Sequence, residues 1–143
     1  MSERIDRVVT PPGLIARART WTVIWDRDGM YLLCTGNATR EVRTVGVAGA
    51  LARKMIDKIA ERYDREIEAA EARLATMTPA DYVAQDKHSV YVARAEIKGV
   101  ELRSAYSRGV EYPLLIVQAA KKYRLHLGMA TREQAEAMQR ALT

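Results

Sequence analysis

A chain of 143 residues, 48% apolar and 29% charged, is long enough to bury a core and too apolar to stay disordered. Its one cysteine, Cys34, excludes an internal disulfide and a thiol-based zinc centre. No apolar run approaches the ~20 residues that a membrane-spanning helix needs, and the polar N-terminus has no apolar stretch behind it to act as a signal peptide, so a cytoplasmic location is expected. The net charge of +5 is mild and mostly C-terminal: residues 88–143 hold nine basic and five acidic residues, with no block of like charge.

In chain order, residues 1–13 are polar and end in Thr10-Pro-Pro-Gly13, which reads as a lead-in outside the domain. Trp21, Val23 and Trp25 then alternate with Thr22 and Ile24, as a strand requires. Asp26-Arg-Asp-Gly29 is a turn signal, and Met30 to Thr35 reads as the return strand of a hairpin. Across residues 46–77 the period changes. Leu51, Met55, Ile59, Tyr63, Ile67, Ala70 and Leu74 recur every three or four residues, the apolar stripe of one long helix.

Thr78-Pro79-Ala-Asp81 carries an N-cap, a proline at the first helical position and an acid in the first turn, opening a short helix to about Gln85. From His88 the pattern is strand again, running through Leu102 with a bend at Gly99. Ser104 to Gly109 reads as a polar loop. Leu114–Val117 and Tyr123–Leu127 are two further strands joined by Ala119-Ala-Lys-Lys122. Thr131-Arg-Glu-Gln134 is a capping box opening a last helix whose apolar face is Ala135, Met138, Ala141 and Leu142.

Val90-Tyr-Val-Ala-Arg-Ala-Glu-Ile97 with Val100-Glu-Leu102, then Pro113–Val117 and Lys121–Leu127 joined by a basic turn, then the capped helix from Thr131 to Leu142, resemble bacterial pleckstrin-homology-like (PH-like) domains of uncharacterised function. The resemblance covers residues 88–143 and, more loosely, the hairpin in 14–36. It implies an α+β fold: an antiparallel sheet or partly open barrel, capped by the C-terminal helix, with the long helix of 46–77 as an insertion. Residues 14–143 then form one domain. The resemblance also implies a scaffold that binds a lipid headgroup, a peptide or another protein, and it implies no reaction.

Catalytic chemistry finds little to work with. A nucleophile needs a neighbouring base, and the two histidines, His88 and His126, read as surface residues. Cys34 reads as a small buried thiol. Gly46-Val-Ala-Gly49 lacks the Lys-Ser/Thr ending of a phosphate loop. No enzyme activity, metal or cofactor is expected.

Three surfaces remain. Lys121, Lys122 and Arg124, joined by Arg103 and Arg108, form a candidate basic rim for anionic lipid or phosphate. Arg53, Lys54, Lys58 and Arg62 make the first half of the long helix cationic, with Asp57, Glu61 and Asp64 interleaved. The far end of the apolar stripe, Tyr63, Ile67 and Leu74, is a candidate oligomer interface, because a helix of ~30 residues spans ~45 Å, more than a small sheet covers. The leading expectation is a non-enzymatic interaction module that binds a protein partner or assembles with itself. A peripheral anionic-membrane binder is the alternative, and nucleic acid is not an expected partner.

Overall fold

The computed structural model describes residues 2–11, 18–37, 50–107 and 109–143. Seven strands form one antiparallel sheet: β1 (Glu3–Thr10), β2 (Arg19–Trp25), β3 (Gly29–Asn37), β4 (Val90–Ala93), β5 (Gly99–Ser107), β6 (Val110–Gln118) and β7 (Lys122–His126). The helices are α1 (Ala50–Leu74), α2 (Pro79–Gln85) and α3 (Arg132–Leu142). The class is α+β, as expected. The spatial order is β4-β3-β2-β1-β7-β6-β5, so β4 and β5 are the two edges and the sheet is not closed.

Connectivity forces this sheet to curl. Edge to edge, seven flat strands would span roughly 29 Å at ~4.8 Å per spacing. The segment from Ala93 to Gly99 that joins the two edges reaches at most about 21 Å, and its 3₁₀ turn at Arg94–Glu96 shortens it further. The concave face encloses the main core: Ile5, Val8, Val23, Trp25, Met30, Leu32, Val92, Leu115, Val117 and Leu125. Helix α3 plugs it with Ala135, Met138 and Leu142, the first two wholly buried. Its start is the capping box: Thr131 Oγ1 accepts from the Gln134 N–H at 3.1 Å, and the Gln134 side chain accepts from the Thr131 N–H at 2.9 Å. Helix α3 also covers part of the β5 edge, where Gln139 Nε2 donates to the Val100 carbonyl at 3.1 Å.

The convex face over β1–β3 is covered by α1 and α2, with Leu33, Leu74 and Tyr82 as a second, smaller core. The β2–β3 hairpin turns as expected, with Asp26 Oδ1 accepting from the Asp28 and Gly29 N–H groups at 2.8 and 3.3 Å. Thr78 caps α2 by accepting from the Asp81 N–H at 3.1 Å.

Three expectations change. Residues 3–10 are not a lead-in: they form β1, in the middle of the sheet between β2 and β7. A bulge between Ile5 and Val8 puts both residues in the core at an odd spacing, which hides the strand from a period-2 reading. The bulge also leaves Arg7 at φ 58°, where it bonds Glu71 of α1 at 2.9 Å and holds helix to sheet. Next, the supposed single strand after His88 is two strands, β4 and β5, on opposite edges, and Ala93–Gly99 crosses between them. Finally, Ser104–Ser107 is not loop but the end of β5, paired in register with β6 from Ser104↔Pro113 to Ser107↔Val110. Its polar sequence suits an edge strand with one solvated flank.

Candidate functional site

The strand register decides what becomes of the basic rim. Lys121 and Lys122 are exposed at the β6–β7 turn. Arg124 pairs across from Ile116, and Arg103 across from Leu114, so they lie on the convex face on either side of β6. That separates them by two strand spacings, about 10 Å, plus two residues along the strand. Arg103 is already engaged, its Nε donating to Glu101 at 2.7 Å. Arg108 lies outside the described residues. The described members therefore do not converge on one point.

The Lys121–Lys122 end gains Lys98, whose N–H donates to the Gln118 carbonyl at 2.7 Å. Acids gather at the same end. The Arg94 N–H donates to the Asp28 carbonyl at 2.8 Å, which brings the Asp26–Asp28 turn beside Glu96. Ile116 is only 5% exposed although it belongs to neither core cluster. It sits in the cross-strand row Glu101–Ile116–Arg124, where long charged side chains can lay their stems across an apolar neighbour.

The oligomer stripe needs a correction. Ile67 and Leu74 are 2% and 7% exposed, buried within the chain itself. Leu74 packs with Leu33 and Tyr82, and Ile67 lies against Gly36, where a Cβ would come within 3.2 Å of its Cγ1. Tyr63 is half-buried. Among the described side chains of α1, the large apolar ones that stand in solvent are Met55 and Ile59, near its other end. On the cationic half of the helix, Lys54, Lys58 and Arg62 are exposed among Asp57 and Glu61, and Arg62 pairs with Glu66 at 3.2 Å.

Two concave regions were not foreseen. One is a cleft of about 390 Å³ where the start of β2 and the end of β3 meet α1 and α2. Cys34, Gly36 and Ala70 lie along it, and Arg19, Arg73 and His88 contribute to its walls. Tyr82 OH donates to the Cys34 carbonyl at 2.7 Å, and the Cys34 N–H donates to Ser89 Oγ at 2.8 Å. Asp86 accepts from both the Ser89 hydroxyl and its N–H. Burial pushes the Cys34 thiol up, the Asp86 carboxylate adds to this, and the adjacent Arg19 guanidinium only partly offsets it. A thiol held protonated is a poor nucleophile.

The other region lies where β6 meets the N-terminus of α3, a groove of about 450 Å³ lined by Glu111, Tyr112, Pro113, Ala130 and Arg132. Tyr106 pairs across from Glu111 and Val110 across from Ser107, at the tip of the β5–β6 hairpin. Met129 follows β7 in a segment tied to β6 by the Leu127 N–H, which donates to the Pro113 carbonyl at 2.9 Å. These three are the most exposed large apolar side chains among the described residues, at 68%, 65% and 74%. Ser104 donates to Glu111 at 2.6 Å and accepts from Arg132 at 3.1 Å, bridging strand and helix across the groove. Beside it, His126 is half-buried and shares a hydrogen bond with Tyr112 OH at 2.8 Å, so it is not the bare surface histidine expected.

Neither region announces itself in the sequence. Arg19 and Arg73 belong to different elements far apart in the chain, and Tyr106, Val110 and Met129 follow no periodic pattern. Among the described residues no group of three or more His, Cys, Asp or Glu side chains could hold a metal ion, and no helix is long and apolar enough to cross a membrane. A scan of family models, a search of curated proteins and a search of solved structures each returned no match to this chain.

Proposed function

We propose that the chain is a non-enzymatic interaction module of PH-like architecture that binds a protein partner at the end of the sheet marked by Tyr106, Val110 and Met129. The strand order, the curl of the sheet and the helix plugging its concave face support the architecture. The observation that carries the function is that these three, the most exposed large apolar side chains among the described residues, all lie at one end of the sheet, at the β5–β6 tip and in the segment after β7. Scattered single apolar residues are ordinary on a protein surface, whereas apolar side chains gathered at one end of a fold suit a partner that covers that end.

The test compares the wild-type chain with a Tyr106→Ser, Met129→Ser double variant in affinity capture and sedimentation velocity. Both residues are exposed, so the variant should fold normally, which circular dichroism checks. The reading predicts a stoichiometric protein partner, or self-association, that the double variant loses. Identical capture and sedimentation for both chains would refute it.

A second reading rests on Lys98, Lys121 and Lys122 meeting at the opposite end: attachment to an anionic membrane surface. Liposome binding that falls steeply with salt and with Lys121→Glu, Lys122→Glu would favour it over a protein partner. The neighbouring Asp26, Asp28 and Glu96 make it the weaker of the two.

A further inference from the structure

The cleft between α1, α2 and the β2–β3 strands holds two guanidinium groups that no carboxylate among the described residues neutralises. Both line its walls. Arg73 lies over the Tyr82 ring, 5.1 Å from its centroid, and the Tyr82 hydroxyl is anchored on the Cys34 carbonyl. Arg19 lines the same cleft as Cys34. Neither forms an ion pair with a carboxylate among the described residues.

Two carboxylates also line the cleft, and each already has donors. Glu66 takes Arg62 at 3.2 Å, and Asp86 takes the hydroxyl and N–H of Ser89. Arg73 is thus held by an aromatic ring, a contact that orients a guanidinium while leaving its charge and most of its N–H fork available, and Arg19 lines the same cleft with no carboxylate partner among the described residues. Gly36, Ala69 and Ala70 are small, so the space between the two arginines stays open, and about 390 Å³ is within the range of small-molecule sites.

We propose that this cleft binds a small molecule through an oxyanion, a phosphate or a carboxylate, held between Arg19 and Arg73. Guanidinium forks match both groups in geometry and charge. The site is independent of the partner-binding end, because it lies on β2, β3 and the two helices rather than on β5 and β6.

The test is an amide NMR titration of the full chain with inorganic phosphate, with acetate, and with sodium chloride at matched ionic strength. The proposal expects saturable shifts at Gly36, Asn37, Ala69 and Arg73 with phosphate or with acetate, and the responding anion identifies the group recognised. Affinity should fall by about tenfold or more in Arg73→Gln, since a hydrogen bond to a charged group contributes about 1.5–3 kcal/mol. Arg19→Gln should act likewise; if that variant unfolds, Arg73→Gln at an exposed position decides alone. Shifts that chloride reproduces, or that survive Arg73→Gln unchanged, would overturn the proposal.

Discussion

Among the described glycines Gly29 is the one where an added side chain fits least, and Gly29→Ala measures how tightly β4 is held. The residue opens β3 at φ +155°, a conformation that side-chain-bearing residues rarely adopt. Holding alanine there costs about 1–3 kcal/mol. Its Cβ would overlap the Val92 carbonyl oxygen and stand 2.9 Å from Tyr91 OH and 3.0 Å from Ala93 Cα. Two of those three atoms belong to the β4 backbone, so no side-chain rotation relieves the overlap, and overpacking of this kind costs a further 1–3 kcal/mol, roughly.

Strand β4 pairs with β3 through only four residue pairs, Gly29↔Ala93 to Leu32↔Val90, so part of the strain can be released by its end lifting away. A loss of about 3 kcal/mol is expected, a large share of the 5–15 kcal/mol, roughly, that ordinary domains possess. Urea unfolding followed by tryptophan fluorescence reads this directly, because buried Trp25 pairs with Met30 next to the site. Two other glycines calibrate the result. Gly109, at φ +78° in open space, should cost only the left-handed penalty of about 1 kcal/mol on mutation to alanine. Gly99 has an ordinary φ and nothing within 4 Å, so Gly99→Ala should be neutral or slightly stabilising. If Gly29→Ala proved no worse than Gly109→Ala, the close packing of β4 over the hairpin would be wrong.

Tyr82→Phe should cost about 1–2 kcal/mol in the same assay, because it removes the donor to the buried Cys34 carbonyl and leaves that oxygen without its 2.7 Å partner; a neutral effect would mean that water replaces the hydroxyl. Alkaline pH should weaken the fold through Cys34. The folded chain keeps this thiol protonated above its ordinary value of 9.0, so the unfolded chain loses the proton first and is favoured as pH rises. Stability from this group is therefore complete at neutral pH and lost as pH climbs through the raised folded value. Urea midpoints at neutral and alkaline pH should fall less in Cys34→Ala than in the wild type, and an equal fall in both would place the alkaline sensitivity elsewhere, with Tyr82 and Tyr123, also raised by burial, as the groups to substitute next.

The elements that local chemistry specifies were legible in the sequence. The Asp26–Gly29 turn, the Thr78 and Thr131 caps and the α3 apolar face depend on neighbours within a few residues, and each forms where its sequence signal stands. What failed depends on distant partners. Strand β1 alternates only if its bulge is known, and the bulge is stabilised from outside the strand, by Glu71 bonding Arg7 and by the Thr22 hydroxyl donating to Asp6 at 2.9 Å. The apolar stripe of α1 was legible as a stripe, but which end it buries is set by where β3 runs beneath it. Ile67 and Leu74 therefore became core, while Met55 and Ile59 stayed in solvent.

The candidate sites follow the same division. A basic rim read along the chain treats Arg103 and Arg124 as neighbours of Lys122, but register sets Arg103 across β6 from Arg124 and beside Glu101. Charges on strands are neighbours by row rather than by sequence, so a cluster in the sequence can be dispersed in the sheet. Arg19 and Arg73 show the converse: each is ordinary in its own segment, and the packing of α1 and α2 onto the hairpin brings both to one cleft. Because α2 anchors that packing through the Tyr82–Cys34 bond, any binding between the two arginines should be coupled to the stability of the hairpin, and a ligand there should raise the urea midpoint with the logarithm of its free concentration once that exceeds Kd.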